Sequence, residues 1–176
     1  MGHKVFRSTP ETFPVKFIPG DIFDQTFLAS GPVVTERIPN EPSVDISTLT
    51  SLTPLRGKLS AIHASSFFHL FNEEQQAELA RKLGSLLSPE PGSIIFGAHS
   101  GRPEKGLRTE HIRANAAALA TFCHNPESFT ELWEEVFGKD KVEINTFLRE
   151  VTRPDVQHIT DAGRRVYGLI WSVRRL

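Results

Sequence analysis

Little in this chain of 176 residues is extreme, and what is scarce in it excludes a good deal. A single cysteine, Cys123, rules out an internal disulfide and fits a reducing compartment. Neither sign of charge dominates: 20 Lys and Arg face 21 Asp and Glu, for a net charge of -1. The basic residues are spread along the chain, which argues against nucleic acid or an anionic membrane as the partner. Arg174 and Arg175 read as a solvated end. Apolar runs are no longer than a strand, as at Ser93 to Ala98, so no transmembrane segment is expected. The first residues carry Lys4 and Arg7 with no apolar block after them, hence no secretion signal is expected. The expectation is a soluble, cytoplasmic protein forming one domain over residues 1–176.

Chemical signatures are equally sparse. There is no G-x-G-x-x-G or other phosphate-cradling loop, and no Gly-x-Ser-x-Gly turn around Ser65 or Ser66. No pair of residues has zinc-type spacing, and no metal is expected. With 39% hydrophobic and 23% charged residues, the chain is far from the disordered range.

What is present reads as alternating strands and helices. Val15 to Ile18 reads as a short strand stopped by Pro19-Gly20. Ala29 to Ser43 is rich in proline and reads as a long surface loop, after which Asp45 caps a short helix. Leu59 to Ala64 reads as a buried strand. Asn72 with Gln75 forms a capping-box start for a helix that puts Leu79, Leu83, Leu86 and Leu87 on one face. Ser93 to Ala98 reads as a strand with both faces covered, and His99 to Gly106 as a glycine-bearing loop. Asn125-Pro126 opens a helix burying Leu132, Trp133, Val136 and Phe137 and stopping at Gly138. Lys141 to Val151 and Arg165 to Val173 alternate as an antiparallel pair. The class is α/β.

Ligands of open α/β sheets bind beyond the carboxyl ends of the strands. Three segments would meet there: Gly20 to Asp24, His63 to Phe71, and His99 to Arg102. Asp21 can accept hydrogen bonds from an adenine amino group or a ribose hydroxyl, or can simply cap its own turn. His63 to Phe71 crowds two histidines, two serines and three phenylalanines, either as a pocket for an apolar substrate or as core. His63 is expected to be structural. His69 and His99 are placed to face substrate.

With those residues in view, the chain resembles the class I S-adenosylmethionine-dependent methyltransferases, notably the fungal enzymes of secondary metabolism and meroterpenoid biosynthesis. The likeness is carried by Gly2 to Phe6 and Ser8 to Pro14, by Phe17 to Asp24, by Leu59 to Phe71, by Gly92 to Gly97, and by Phe122 to Ser128 with Trp133. The resemblance implies a Rossmann-like sheet of strand order 3-2-1-4-5-7-6, in which Val15 to Ile18 would be the third strand. It implies S-adenosyl-L-methionine as cofactor, with Asp21 and Ile22 lining the adenine pocket, and O-methylation of a small apolar metabolite. The family's glycine-rich loop and ribose-binding acid match no position here. The chain therefore reads as an N-terminally truncated methyltransferase lacking its first two strands. Alternatives are a non-catalytic subunit or degenerate product, and a fragment of a nucleotide-binding oxidoreductase. The strand edge bared by the missing strands is expected to drive aggregation or dimerisation, or to be closed by direct pairing of Val15–Ile18 with Leu59–Ala64.

Overall fold

A computed structural model describes residues 2–37, 43–108, 121–152 and 165–176. Four strands form the main sheet in the order β1-β2-β6-β5. They are β1 (Ala61–His63), β2 (Ile94–Gly101), β5 (Val142–Glu150) and β6 (Tyr167–Arg175). A separate antiparallel pair joins β3 (Gly106–Arg108) to β4 (Thr121–Cys123). The helices are α1 (Gly2–Phe6), α2 (Glu73–Leu86) and α3 (Pro126–Phe137).

The connection between β1 and β2 runs through α2, and the two strands are parallel, with Ile62 opposite Ile95. β6 is antiparallel to both its neighbours, with Trp171 opposite Gly97 on one side and Thr146 on the other. The resemblance implies the order 4-5-7-6 for the strands that follow the third, and β1-β2-β6-β5 has that same pattern; the α/β class holds.

Local signals set the helix boundaries. Asn72 accepts from Gln75 N at 2.9 Å while Gln75 Oε1 accepts from Asn72 N at 3.3 Å, the reciprocal box read from sequence. Asn125 caps α3 in the same way with Ser128, and Gly138 ends α3 at φ 90, a conformation cheap only for glycine. Asp45 caps a 3-10 turn at Ile46–Thr48. Both long helices pack on one face of the sheet, burying Leu79, Leu83, Phe129 and Trp133 against Ile95, Leu169, Trp171 and Val173.

Four expectations need correction. Val15 to Ile18 is extended but forms no strand, because no described segment supplies a ladder partner, β1 included. It is held instead by Ile18 packing on the core and Lys16 Nζ donating to Ser47 O at 2.9 Å. The sheet is covered on one face only: Phe96 and Phe147 stand exposed on the other. The loop expected from His99 begins later, since β2 stays paired to β6 through Gly101, opposite Tyr167. Finally, Arg175 is buried rather than solvated, its guanidinium 4.5 Å from the Phe137 ring centroid and donating to Val34 O at 2.7 Å. Ile38 to Pro42 of the proline-rich loop lie outside the described residues. Among the described residues no helix is long and apolar enough to cross a membrane.

Candidate functional site

Two sites emerge, on opposite sides of the segment Phe67–Phe71. The first is a cavity of about 530 Å³ where the Gly20–Ile22 turn faces the end of β1. Ile18, Asp21, Ile22, Ile62, His63, Ala64, Ser65, Phe67 and Phe71 are among its walls. Its size is that of a small-molecule pocket, apolar with a few polar groups. Asp21 Oδ1 accepts from Phe23 N at 2.9 Å, so the carboxylate shapes its own turn and keeps its second oxygen available. His63, expected to be structural, is exposed, and its Nε2 lies 2.8 Å from Ser65 Oγ. Ser65 Oγ in turn accepts from Ala98 N at 3.0 Å, which ties this strand end to β2. Ser66 carries φ 53, a strained conformation for serine of the kind that gathers at functional sites. Phe68 is wholly buried, whereas Phe67 and Phe71 line the cavity, so the aromatics divide between core and pocket.

Whether these residues suit an adenosine group can be judged from the walls themselves. They offer flat apolar surface from Ile22, Phe67 and Phe71, and an acid able to accept from an amino or hydroxyl group. That donor and acceptor set fits.

The second site is a buried polar cluster that contains His69 and His99 and does not share the cavity. His69 sits on a 3-10 turn at Phe68–Leu70, and its ring stacks on His99 with centroids 6.4 Å apart. His99 lies on the covered face of β2, beneath Phe68 and Phe129, rather than past the strand end. Trp171 Nε1 donates to His99 Nδ1 at 3.0 Å. Burial pushes His99 down to about 3, with His69 and His124 adding repulsion. His69 is lowered by burial and then by the Arg108 charge. His124, just past β4, is buried with Nδ1 2.9 Å from Ser128 Oγ, and burial lowers it to about 4. Arg108 on β3 is buried as well. Gln76 ties the region together, donating to Phe71 O at 2.9 Å and Phe122 O at 3.0 Å. Among the described residues no three histidine, cysteine or acidic side chains converge as metal ligands.

Asp21 and Ile22, expected to line one pocket, both border this cavity, whereas His99, expected to meet them, does not. The sequence did not single out Arg108, His124 or Gln76. Arg108 looked like any charged strand residue, and only its burial between paired strands marks it.

Comparison with known proteins adds the decisive observation. O-methyltransferase phiE of a fungal species is 28% identical over 151 residues, covering 86% of this chain and 41% of phiE. Asnovolin E/Chermesin D methyltransferase nvfJ of Aspergillus novofumigatus is 27% identical over 124 residues, 70% of this chain and 42% of nvfJ. Methyltransferase prhM of Penicillium brasilianum is 30% identical, covering 69% of this chain and 42% of prhM. The chain is similar to fungal methyltransferases. It spans about two fifths of the length of these relatives. A crystal structure of an S-adenosylmethionine-dependent methyltransferase from Mesorhizobium loti aligns at a TM-score of 0.40 and 13% identity, over 68% of this chain and 64% of that one, a likeness too loose to define the fold. No protein-family model matches.

Proposed function

We propose that this chain is part of a methyltransferase that moves a methyl group from S-adenosylmethionine to an oxygen, carboxylate or hydroxyl, of a small apolar metabolite. The observation that carries the reading is the meeting of the Gly20–Ile22 turn with the end of β1 around one apolar cavity. Sequence similarity to named methyltransferases across 86% of the chain supports it. In this reading Asp21 and Ile22 hold the adenine end, and Phe67 and Phe71 exclude water from it. S-adenosylmethionine, when bound, supplies an activated methyl group. The chain's own contribution is positioning, which can account for most of the rate when the acceptor oxygen is already anionic. A cytoplasmic setting is part of this reading, supported by the single cysteine.

Ultraviolet crosslinking with methyl-labelled S-adenosylmethionine tests it. The label is expected in peptides containing Gly20–Phe23 or His63–Phe71, and excess S-adenosylhomocysteine should compete it away. Label confined to other peptides, or insensitive to the competitor, would overturn the assignment.

A second reading concerns assembly. Among the described residues β1 is hydrogen-bonded to a strand on one side only, and Phe96 is exposed on the open sheet face nearby. Such an edge favours pairing with another chain, and a second copy of this one is the proposed partner. Sedimentation should show concentration-dependent dimers; a monomer at all concentrations would contradict it.

A further inference from the structure

The end of β1 carries a hydroxyl and an imidazole that the methyl-transfer reading leaves without a role. Ser65 Oγ and His63 Nε2 lie 2.8 Å apart, and both side chains are exposed. Ser65 Oγ already accepts from Ala98 N at 3.0 Å. Among the described residues, His63 Nε2 is then the acceptor within reach of the hydroxyl proton, so Ser65 donates to it. The bond to Ala98 would explain a serine here by itself, but it needs no imbalance of charge and no imidazole. The pair is also held in place. Ala64 N donates to Phe96 O at 2.9 Å and Ser66 N to Ala98 O at 2.7 Å, which clamps both neighbours of Ser65 to β2. The approach is so close that a Cβ at Gly97 would strike the Ala64 carbonyl oxygen. The His63 ring lies against Phe96 with centroids 5.0 Å apart, and the strained Ser66, at φ 53, completes the turn.

His63 and Ser65 are the two residues that line both the 530 Å³ cavity and a second one, of about 390 Å³, on the open face of the sheet. Phe67 and Phe71 give the first an apolar wall, and Phe96 and Phe147 the second. A small molecule seated across the pair has one part in each cavity. We propose that Ser65 is a nucleophile and His63 its general base, acting on small esters whose acyl and alcohol parts are both apolar. A hydroxyl 2.8 Å from an imidazole is within the reach such proton transfer needs. Ser65 Oγ bonds to the ester carbonyl carbon while its proton passes to His63 Nε2. The bond from that carbon to the alcohol oxygen then breaks, and the alcohol leaves with the proton. Water attacks the acyl carbon next, giving a proton to His63; the acid departs and Ser65 Oγ takes that proton back. A Gly-x-Ser-x-Gly turn is one way to present a serine at a strand end, and the clamped turn at Ser65 and Ser66 is another. This activity goes beyond methyl transfer and does not depend on it.

An alkyl fluorophosphonate, which bonds to an activated serine oxygen and releases fluoride, is the probe. Intact-mass analysis of the native chain should show a single adduct, and peptide mapping should place it on Ser65. Protein unfolded in urea should label at least a hundredfold more slowly. His63→Gln, at an exposed position, should slow labelling by about a hundredfold or more, with circular dichroism to confirm that it is folded. p-Nitrophenyl butyrate should be hydrolysed by the same protein, and Ser65→Ala should lose that activity. Labelling of the native chain needs no variant, so it decides the matter even if Ser65→Ala disturbs the turn. No adduct, an adduct on another residue, labelling that survives unfolding, or native-rate labelling of His63→Gln would each overturn the proposal. An adduct on Ser65 with a failed crosslinking test would keep the nucleophile and remove the methyl-transfer reading alone.

Discussion

Lowering the pH from 7.5 to 5.5 should destabilise this protein through two buried histidines. His99 and His124 are held neutral in the fold, with pKa values near 3 and 4. In the unfolded chain both titrate close to 6.5. The unfolded state therefore takes up protons first as pH falls, and stability declines below about 6.5 until the folded values are reached. At pH 5.5 each unfolded histidine is about nine-tenths protonated, which costs about 1.4 kcal/mol apiece. Together the two remove about 3 kcal/mol, a sizeable share of an ordinary domain's stability. His69, also lowered, acts in the same direction. The carboxylates held low by hydrogen bonds, Asp24, Asp45 and Glu143, titrate at more acid pH and barely contribute in this window. Urea unfolding at the two pH values measures the difference, and His124→Gln should abolish about half of it. A stability that is flat between pH 7.5 and 5.5 would refute the burial of both rings.

Two further substitutions probe what holds the sites in place. Trp171→Phe keeps an aromatic ring but deletes the donor to His99 Nδ1 together with half of the buried indole, and should cost at least about 1–2 kcal/mol in denaturant unfolding while freeing the His99 tautomer. An unchanged midpoint would show that the bond contributes nothing. Lys82 is 2% exposed and donates to Leu28 O at 2.6 Å, anchoring the segment that leads out of the first cavity. Lys82→Met should speed amide exchange at Leu28 and Leu52, the latter bonded to Phe27 O, by tenfold or more. Exchange that is uniform with the rest of the chain would show the anchor to be global rather than local.

The readable parts of this fold were those fixed by neighbours in sequence. Asn72 with Gln75, Asn125 with Ser128, and Gly138 set helix ends through bonds spanning three or four residues, and those signals are printed in the chain. Strand order came through the family resemblance, not from pattern. Val15 to Ile18 misled because apolar β-branched residues show that a segment can be extended, not that a partner exists. Gly101 suggested a loop, yet it lies with Gly97 inside β2, where close packing leaves no room for a side chain at either position. A Cβ at Gly97 would strike the Ala64 carbonyl oxygen, and one at Gly101 would press on Leu169 and Leu148. The cavity at Asp21 was legible as a strand-end turn. The buried histidine cluster was not, since the stacking of His69 on His99 and the bond from Trp171 to His99 appear only when three distant stretches are brought together.

The central claim is that the Asp21 turn receives the adenine end of the cofactor. Saturation-transfer NMR with S-adenosylhomocysteine tests this most directly, because it reads weak binding and identifies which ligand protons touch the protein. Weak binding is expected, since the proposed reading gives this chain an adenine contact at Asp21 and Ile22 but no counterpart of the family's glycine-rich loop or ribose-binding acid. The adenine protons should receive more saturation than the methionine-side protons. Asp21→Ala should weaken binding by about 1–3 kcal/mol, the loss of one or two hydrogen bonds. Saturation centred on the methionine side, or an affinity indifferent to Asp21→Ala, would contradict the account.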